Sequence, residues 1–170
     1  MELKNYIRNI EDYPKKGILF RDITTLLQNK DAFKFAIDKM AERVCNERID
    51  FIVGAESRGF LIGSALAYKM NCGFIPVRKK GKLPYKTISE EYALEYGVDT
   101  LFMHEDAIKK DDRVLIVDDL IATGGTALAM IKMVEKLGGI IVGSSFLIEL
   151  EELNGRKEIE KYPVNVLIKY

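Results

Sequence analysis

VLIVDDLIATGGTALAM, residues 114–130, is the stretch whose reading decides the fold. Four apolar residues, Val114 to Val117, run into the adjacent carboxylates Asp118 and Asp119. A Thr123-Gly124-Gly125-Thr126 turn follows, then an apolar stretch with helical spacing. A continuously apolar strand is one buried on both faces, as in a parallel sheet covered by helices. The stretch therefore reads as strand, turn and helix, with carboxylates where the strand ends.

The alternation continues on both sides. Residues 49–56 and 72–79 have strand length, and 59–70 between them reads as a helix. Residues 112–119, 126–137 and 139–150 give strand, helix and strand, the helix closed by Gly138 and Gly139. A charged turn and a last strand over 164–170 follow. Upstream, Phe33, Ile37, Met40 and Val44 recur at helical spacing after Asp31, which is expected to be the N-cap. Residues 2–10 are expected to form a short amphipathic helix, and 11–27 irregular or short extended structure. Residues 80–105, with Gly81, Pro84 and Gly97, read as a long polar excursion. The expectation is an α/β fold, a parallel sheet with helices on both faces, in a single domain over 1–170.

Composition narrows the function. Hydrophobic residues make up 48% of 170, which excludes a disordered or fibrous chain. Lys and Arg total 26 and Asp and Glu total 26, so the basic excess of a nucleic-acid-coating protein is missing and no nucleic-acid partner is expected. No apolar run approaches the roughly 20 residues that span a bilayer. The first fourteen residues lack a signal-peptide core. Cys45 and Cys72 are isolated, which fits a reducing cytoplasm. His104, the single histidine, cannot build a metal site alone and reads as a surface or loop residue.

In open parallel sheets ligands sit at the carboxyl ends of strands, at a topological switch point. Two segments qualify, GAESRG (54–59) and DDLIATGGT (118–126). Gly124 and Gly125 let backbone N–H groups approach a ligand, Thr123 and Thr126 add hydroxyls, and the helix N-terminus favours an anion, so a phosphate fits. Neither a P-loop ending nor GxGxxG is present, which argues against a nucleoside triphosphatase and a dinucleotide fold. Paired carboxylates accept hydrogen bonds from a diol. A phosphate beside a diol is a ribose 5-phosphate.

VLIVDDLIATGGT resembles the phosphoribosyl-pyrophosphate motif of the type I phosphoribosyltransferases. GILFRDIT (17–24), GAESRGF (54–60), PVRKKGKLP (76–84) and LEYG (94–97) are similar to the adenine-specific branch of that family, in order and spacing, over residues 13 to about 150. The resemblance implies transfer of a phosphoribosyl group to adenine, giving AMP and pyrophosphate with magnesium. It implies that Ala122, Thr123, Gly124, Gly125 and Thr126 hold the 5′-phosphate and that Asp118 and Asp119 hold the ribose hydroxyls. Ser57 and Arg58 match the pyrophosphate loop, with the Glu56–Ser57 peptide cis. Arg78, Lys79, Lys82 and Tyr96 match further pyrophosphate contacts, although out of context the three cations read as a solvated basic run. Phe20 matches the aromatic that stacks on the purine, and Leu19 and Arg21 the positions whose main chain recognises its edge. Glu95 is the expected acceptor of the purine proton, because Phe102 stands where the family often carries an acid. No direct protein ligand to magnesium is expected. The resemblance further implies a small N-terminal hood over 1–30, a mobile lid loop over 80–105, and a homodimer.

Two rivals stand beside this reading. One is a phosphoribosyltransferase for hypoxanthine, guanine or xanthine, against which GILFRDIT and LEYG argue. The other is a non-catalytic phosphoribosyl-pyrophosphate sensor, which would need a partner or DNA-binding module that the chain does not display.

Overall fold

The computed structural model describes residues 1–93 and 97–170. The chain opens with a 3₁₀ turn, Leu3–Tyr6, followed by β1 (Arg8–Ile10). This strand pairs antiparallel with β2 (Phe20–Asp22), Ile10 opposite Phe20. The amphipathic helix expected over 2–10 is thus not formed. Leu3 and Ile7 are buried as the spacing implied, but backbone pairing of 8–10 with 20–22 overrides the local helical pattern. Asp22 folds back on α1 (Thr24–Gln28), accepting from the Thr24 backbone N–H at 2.9 Å and its hydroxyl at 2.7 Å.

Helix α2 (Lys30–Glu42) begins two residues earlier than expected. Asn29, not Asp31, is its N-cap, its Oδ1 accepting from the N–H of Asp31 at 3.2 Å and of Ala32 at 3.0 Å. Asn29 has the extended backbone a cap needs, while Asp31 lies in the first turn. Next come β3 (Phe51–Ala55), α3 (Arg58–Met70) and β4 (Gly73–Val77). The expected excursion is an antiparallel hairpin, β5 (Thr87–Ala93) and β6 (Val98–His104), with Glu90 opposite Leu101. TISEEYA and VDTLFMH alternate in burial, but the polar residues of the half-covered face hide this from a search for apolar runs. His104 is half-buried in β6 beside Tyr85, not in a loop.

Then follow β7 (Arg113–Ile121), α4 (Gly125–Lys136), β8 (Ile140–Glu149), a 3₁₀ turn over Gly155–Ile159, and β9 (Val164–Lys169). The main sheet has the order β4-β3-β7-β8-β9, with every neighbouring pair parallel. Successive residues feed opposite faces. Val53, Val114, Ile116 and Phe146 pack with Met130 and Val134 of α4. Ile52, Leu115, Val117 and Leu147 pack with Met40 of α2 and with Ile62 and Leu66 of α3. Burial of each such side chain contributes about 1.5–3 kcal/mol. The doubly covered parallel sheet read from VLIV is therefore the architecture. Its order reverses between β3 and β7, so the crevice at their carboxyl ends is the switch point.

Candidate active site

Two strand-to-helix junctions open into that crevice. Glu56 and Ser57 leave β3 and enter α3 at Arg58. The peptide between Glu56 and Ser57 is cis, as the family pattern implied. Residues 122–124 leave β7 and enter α4 at Gly125. A cavity of about 260 Å³ is lined by Ser57, Arg58, Lys79, Asp118, Asp119 and residues 122–126 together. Ten of the residues singled out from sequence thus meet around one space.

Asp118 and Asp119 carry the electrostatic load. Asp118 Oδ1 accepts from the Asp119 backbone N–H at 2.9 Å. Burial pushes the Asp118 carboxyl well above its ordinary value of 3.8, and the charge of Asp119 beside it adds to the shift. Asp119 is raised by burial too, with the Arg58 guanidinium opposing the shift. Arg58 Nε lies 3.0 Å from Asp119 Oδ2, yet among the described residues neither Asp119 Oδ2 nor Arg58 Nη1 has a well-directed hydrogen bond. The ion pair is close but poorly aligned. Two buried polar atoms with unused capacity face the same crevice, which is the chemistry of a site built for polar ligands.

Arg58 also reaches the N-terminal ribbon. Its guanidinium lies 4.9 Å from the centre of the Phe20 ring, which Tyr13 meets edge-on at 5.1 Å. Leu19 is exposed. Arg21 turns away onto the Tyr170 ring at 3.7 Å and donates to Asn9 Oδ1 at 2.6 Å, so only its main chain remains for recognition. Arg78 does not line the cavity. Its Nε lies 3.3 Å from Glu56 Oε1, which also accepts from the Lys79 backbone N–H at 2.7 Å, so Glu56 ties the end of β4 to the cis turn. Phe102 exchanges backbone hydrogen bonds with Arg78 and anchors the hairpin there. Lys79 points into the cavity but is engaged by Tyr92 at 2.7 Å and by Asp99. Burial pulls its ammonium down, and the bonds to Asp99 and Tyr92 outweigh this, so its pKa is raised. Lys82 is exposed and offers its carbonyl to Arg78 at 3.3 Å. Glu95 and Tyr96 lie outside the described residues.

The phosphate-like turn is tightly enclosed. Gly124 has φ +87°, the left-handed region that favours glycine. Gly125 has no such backbone demand. Its constraint is space, because a Cβ there would lie 3.0 Å from Ala93 O and 3.3 Å from the Tyr92 ring. A Cβ on Gly59 would lie 2.6 Å from Asp118 Oδ1, so that glycine lets the carboxylate rest against α3.

A model described as a phosphoribosyl transferase domain matches residues 23–169. A Brachyspira hyodysenteriae sequence named adenine phosphoribosyltransferase is 89% identical over 170 residues and covers all of both chains. The chain belongs to the adenine phosphoribosyltransferase family. The solved adenine phosphoribosyltransferase of Thermoanaerobacter pseudethanolicus superposes with TM-score 0.97 at 51% identity, covering 99% of this chain and 98% of that one. That of Saccharomyces cerevisiae, complexed with D-2,5-dideoxy-2,5-imino-altritol 1,6-bisphosphate and adenine, gives 0.91 at 40% identity, covering 97% and 96%.

Within this adenine phosphoribosyltransferase scaffold, Tyr92, Leu101 and Phe146 also line the cavity and were not anticipated. Tyr92 and Leu101 arrive on the hairpin, and Phe146 on β8. None carries a local signal beyond strand alternation.

Proposed function

We propose that this protein transfers the 5-phosphoribosyl group of phosphoribosyl pyrophosphate to adenine, releasing pyrophosphate and forming AMP, a purine-salvage reaction. The observation that carries the proposal is the meeting of Asp118 and Asp119 with the glycine turn at the start of α4 in one cavity. Ala122 to Thr126 would hold the 5′-phosphate through backbone N–H groups, hydroxyls and the helix N-terminus. Asp118 and Asp119 would accept from the ribose hydroxyls. Ser57, Arg58, Arg78, Lys79, Lys82 and Tyr96 would meet the pyrophosphate, and Arg58 can do so bidentately. Phe20 would take the purine face once Arg58 turns to the pyrophosphate, with the main chain of Leu19 and Arg21 at the purine edge. Residues 1–30 would be the base-binding hood and 80–105 the lid, on a single domain.

The bond from the anomeric carbon to pyrophosphate breaks as purine N9 bonds to that carbon. Positive charge grows on the ribose ring, where the neighbouring carboxylates stabilise it. Magnesium would neutralise charge growing on the leaving pyrophosphate. The ion would be held mainly by pyrophosphate and water, as magnesium prefers. Closure over the site would exclude water and suppress hydrolysis.

Glu95 would take the proton that leaves N9. Glu95→Gln is then expected to lower the single-turnover rate by about 10²–10⁴, the range of general acid–base help, with little change in phosphoribosyl pyrophosphate binding. A rate within about threefold of wild type, far short of that range, would end the assignment. Competition of adenine against hypoxanthine and guanine tests the choice of base. We also propose a homodimer. Leu61 and Tyr68, seven residues apart on one face of α3, are 48% and 91% exposed and would be covered by a second copy. Light scattering tests this. The free thiols of Cys45 and Cys72 support a cytoplasmic location.

A further inference from the structure

The turn over 122–126 does not stand alone. A Cβ on Gly155 would overlap Ala122 O and lie 2.7 Å from Gly124 N and 2.8 Å from Thr123 C. A Cβ on Gly124 would in turn overlap Gly155 O. The two glycines interlock, so the 3₁₀ turn beginning at Gly155 forms the floor of the glycine turn. Gly124 and Gly125 have no side chains with which to anchor themselves. Their N–H directions depend on what lies beneath them.

That floor is itself held by one guanidinium. Arg156 Nε donates to Glu149 Oε1 at 2.9 Å and Nη2 to Oε2 at 2.5 Å, a two-pronged pairing. Its Nη1 donates to Val164 O at 2.9 Å. Glu149 ends β8 and is the register partner of Ile121, the residue before Ala122. Its carboxylate is buried, and the Arg156 guanidinium holds it below the ordinary carboxylate range. A planar fork fixes direction as well as distance, which a lysine could not reproduce. One residue of the 3₁₀ turn thus grips the sheet beside the start of the glycine turn, while the preceding residue touches that turn.

We infer that Gly155 and the Arg156–Glu149 pair are positioning residues for the phosphoribosyl substrate, setting the amides of residues 122–126 for the 5′-phosphate. The inference rests on the reading of that turn as the phosphate site. Its logic is that misplacement by about 1 Å in a binding constellation can cost on the order of 100-fold. The 5′-phosphate is held alike in ground and transition states, so its loosening should appear in KM rather than kcat.

The test is steady-state kinetics of Arg156→Gln, Gly155→Ala and the control Lys169→Gln. Lys169 is exposed, lies 4.0 Å from Glu149 and makes its shorter pairing to Glu151, at 2.6 Å. For Arg156→Gln the expected result is a rise of about tenfold or more in KM for phosphoribosyl pyrophosphate, with KM for adenine and kcat within about threefold. Gly155→Ala should do at least as much. If circular dichroism shows Gly155→Ala unfolded, Arg156→Gln decides. Lys169→Gln should be unchanged. A folded Arg156→Gln with a lowered Tm but wild-type KM for phosphoribosyl pyrophosphate would make the pair merely structural and overturn the inference. Equal rises in both KM values, or the same rise in Lys169→Gln, would also overturn it. Gly125→Val separates the levels. If that variant is defective while Arg156→Gln is normal, the positioning role alone fails; if both are normal, the phosphate-site reading falls with it.

Discussion

Asp118→Asn combined with Asp119→Asn is expected to bring adenine turnover down by roughly 10²–10⁴ while leaving the chain folded, since two hydrogen bonds to charged groups, at about 1.5–3 kcal/mol each, are weakened together. The amides keep the shape of the carboxylates and lose their charge. The stability effect should have the opposite sign. Asp118 is raised well above 3.8 by burial and by Asp119, so the folded state binds its proton more tightly than the unfolded state does. Stability from this group is therefore lost as pH rises from about 3.8 through the raised folded value, and the loss persists above it. Asp118→Asn alone removes that loss. It should melt at a higher temperature than wild type at neutral pH, and the gap should close as the pH falls toward 4. Thermal unfolding at several pH values, beside turnover, checks both halves. Wild-type turnover in the folded double variant would refute the ribose assignment.

Gly125→Val is expected to abolish binding of phosphoribosyl pyrophosphate and AMP together, because both present the same 5′-phosphate. The reason is space. The new side chain would be driven against Ala93 O and the Tyr92 ring, and the hairpin or the start of α4 would have to move. Either shift misdirects the amides at the helix N-terminus. Calorimetry with each ligand is the check. AMP bound at wild-type affinity would mean that the phosphate sits elsewhere.

The parts of this molecule that were legible in sequence are those whose signal is local. VLIV before Asp118 announces a strand buried on both faces, and Ile116 and Val117 do feed opposite cores. Ser57, Arg58, Asp118, Asp119 and residues 122–126 lie on two strand-to-helix junctions, so their chemistry is contiguous in the chain and the parallel-sheet rule brings the junctions together. What was not legible depends on partners distant in sequence. Arg8 to Ile10 become a strand because Phe20 to Asp22 pair with them. The hairpin hides behind Ser89 and Glu91 on its wet face. Asn29 displaces Asp31 as the cap through backbone geometry that composition does not reveal. Gly59 and Gly155 matter because a carboxylate and a carbonyl approach them from other segments, and no motif spacing records that approach.

The most direct test supplies the protein with phosphoribosyl pyrophosphate, magnesium and one purine at a time, and measures pyrophosphate release. Release with adenine, matched mole for mole by AMP and far exceeding release with hypoxanthine, guanine or xanthine, is the expected result. Release with none of the purines, or with another purine in preference to adenine, would contradict the assignment.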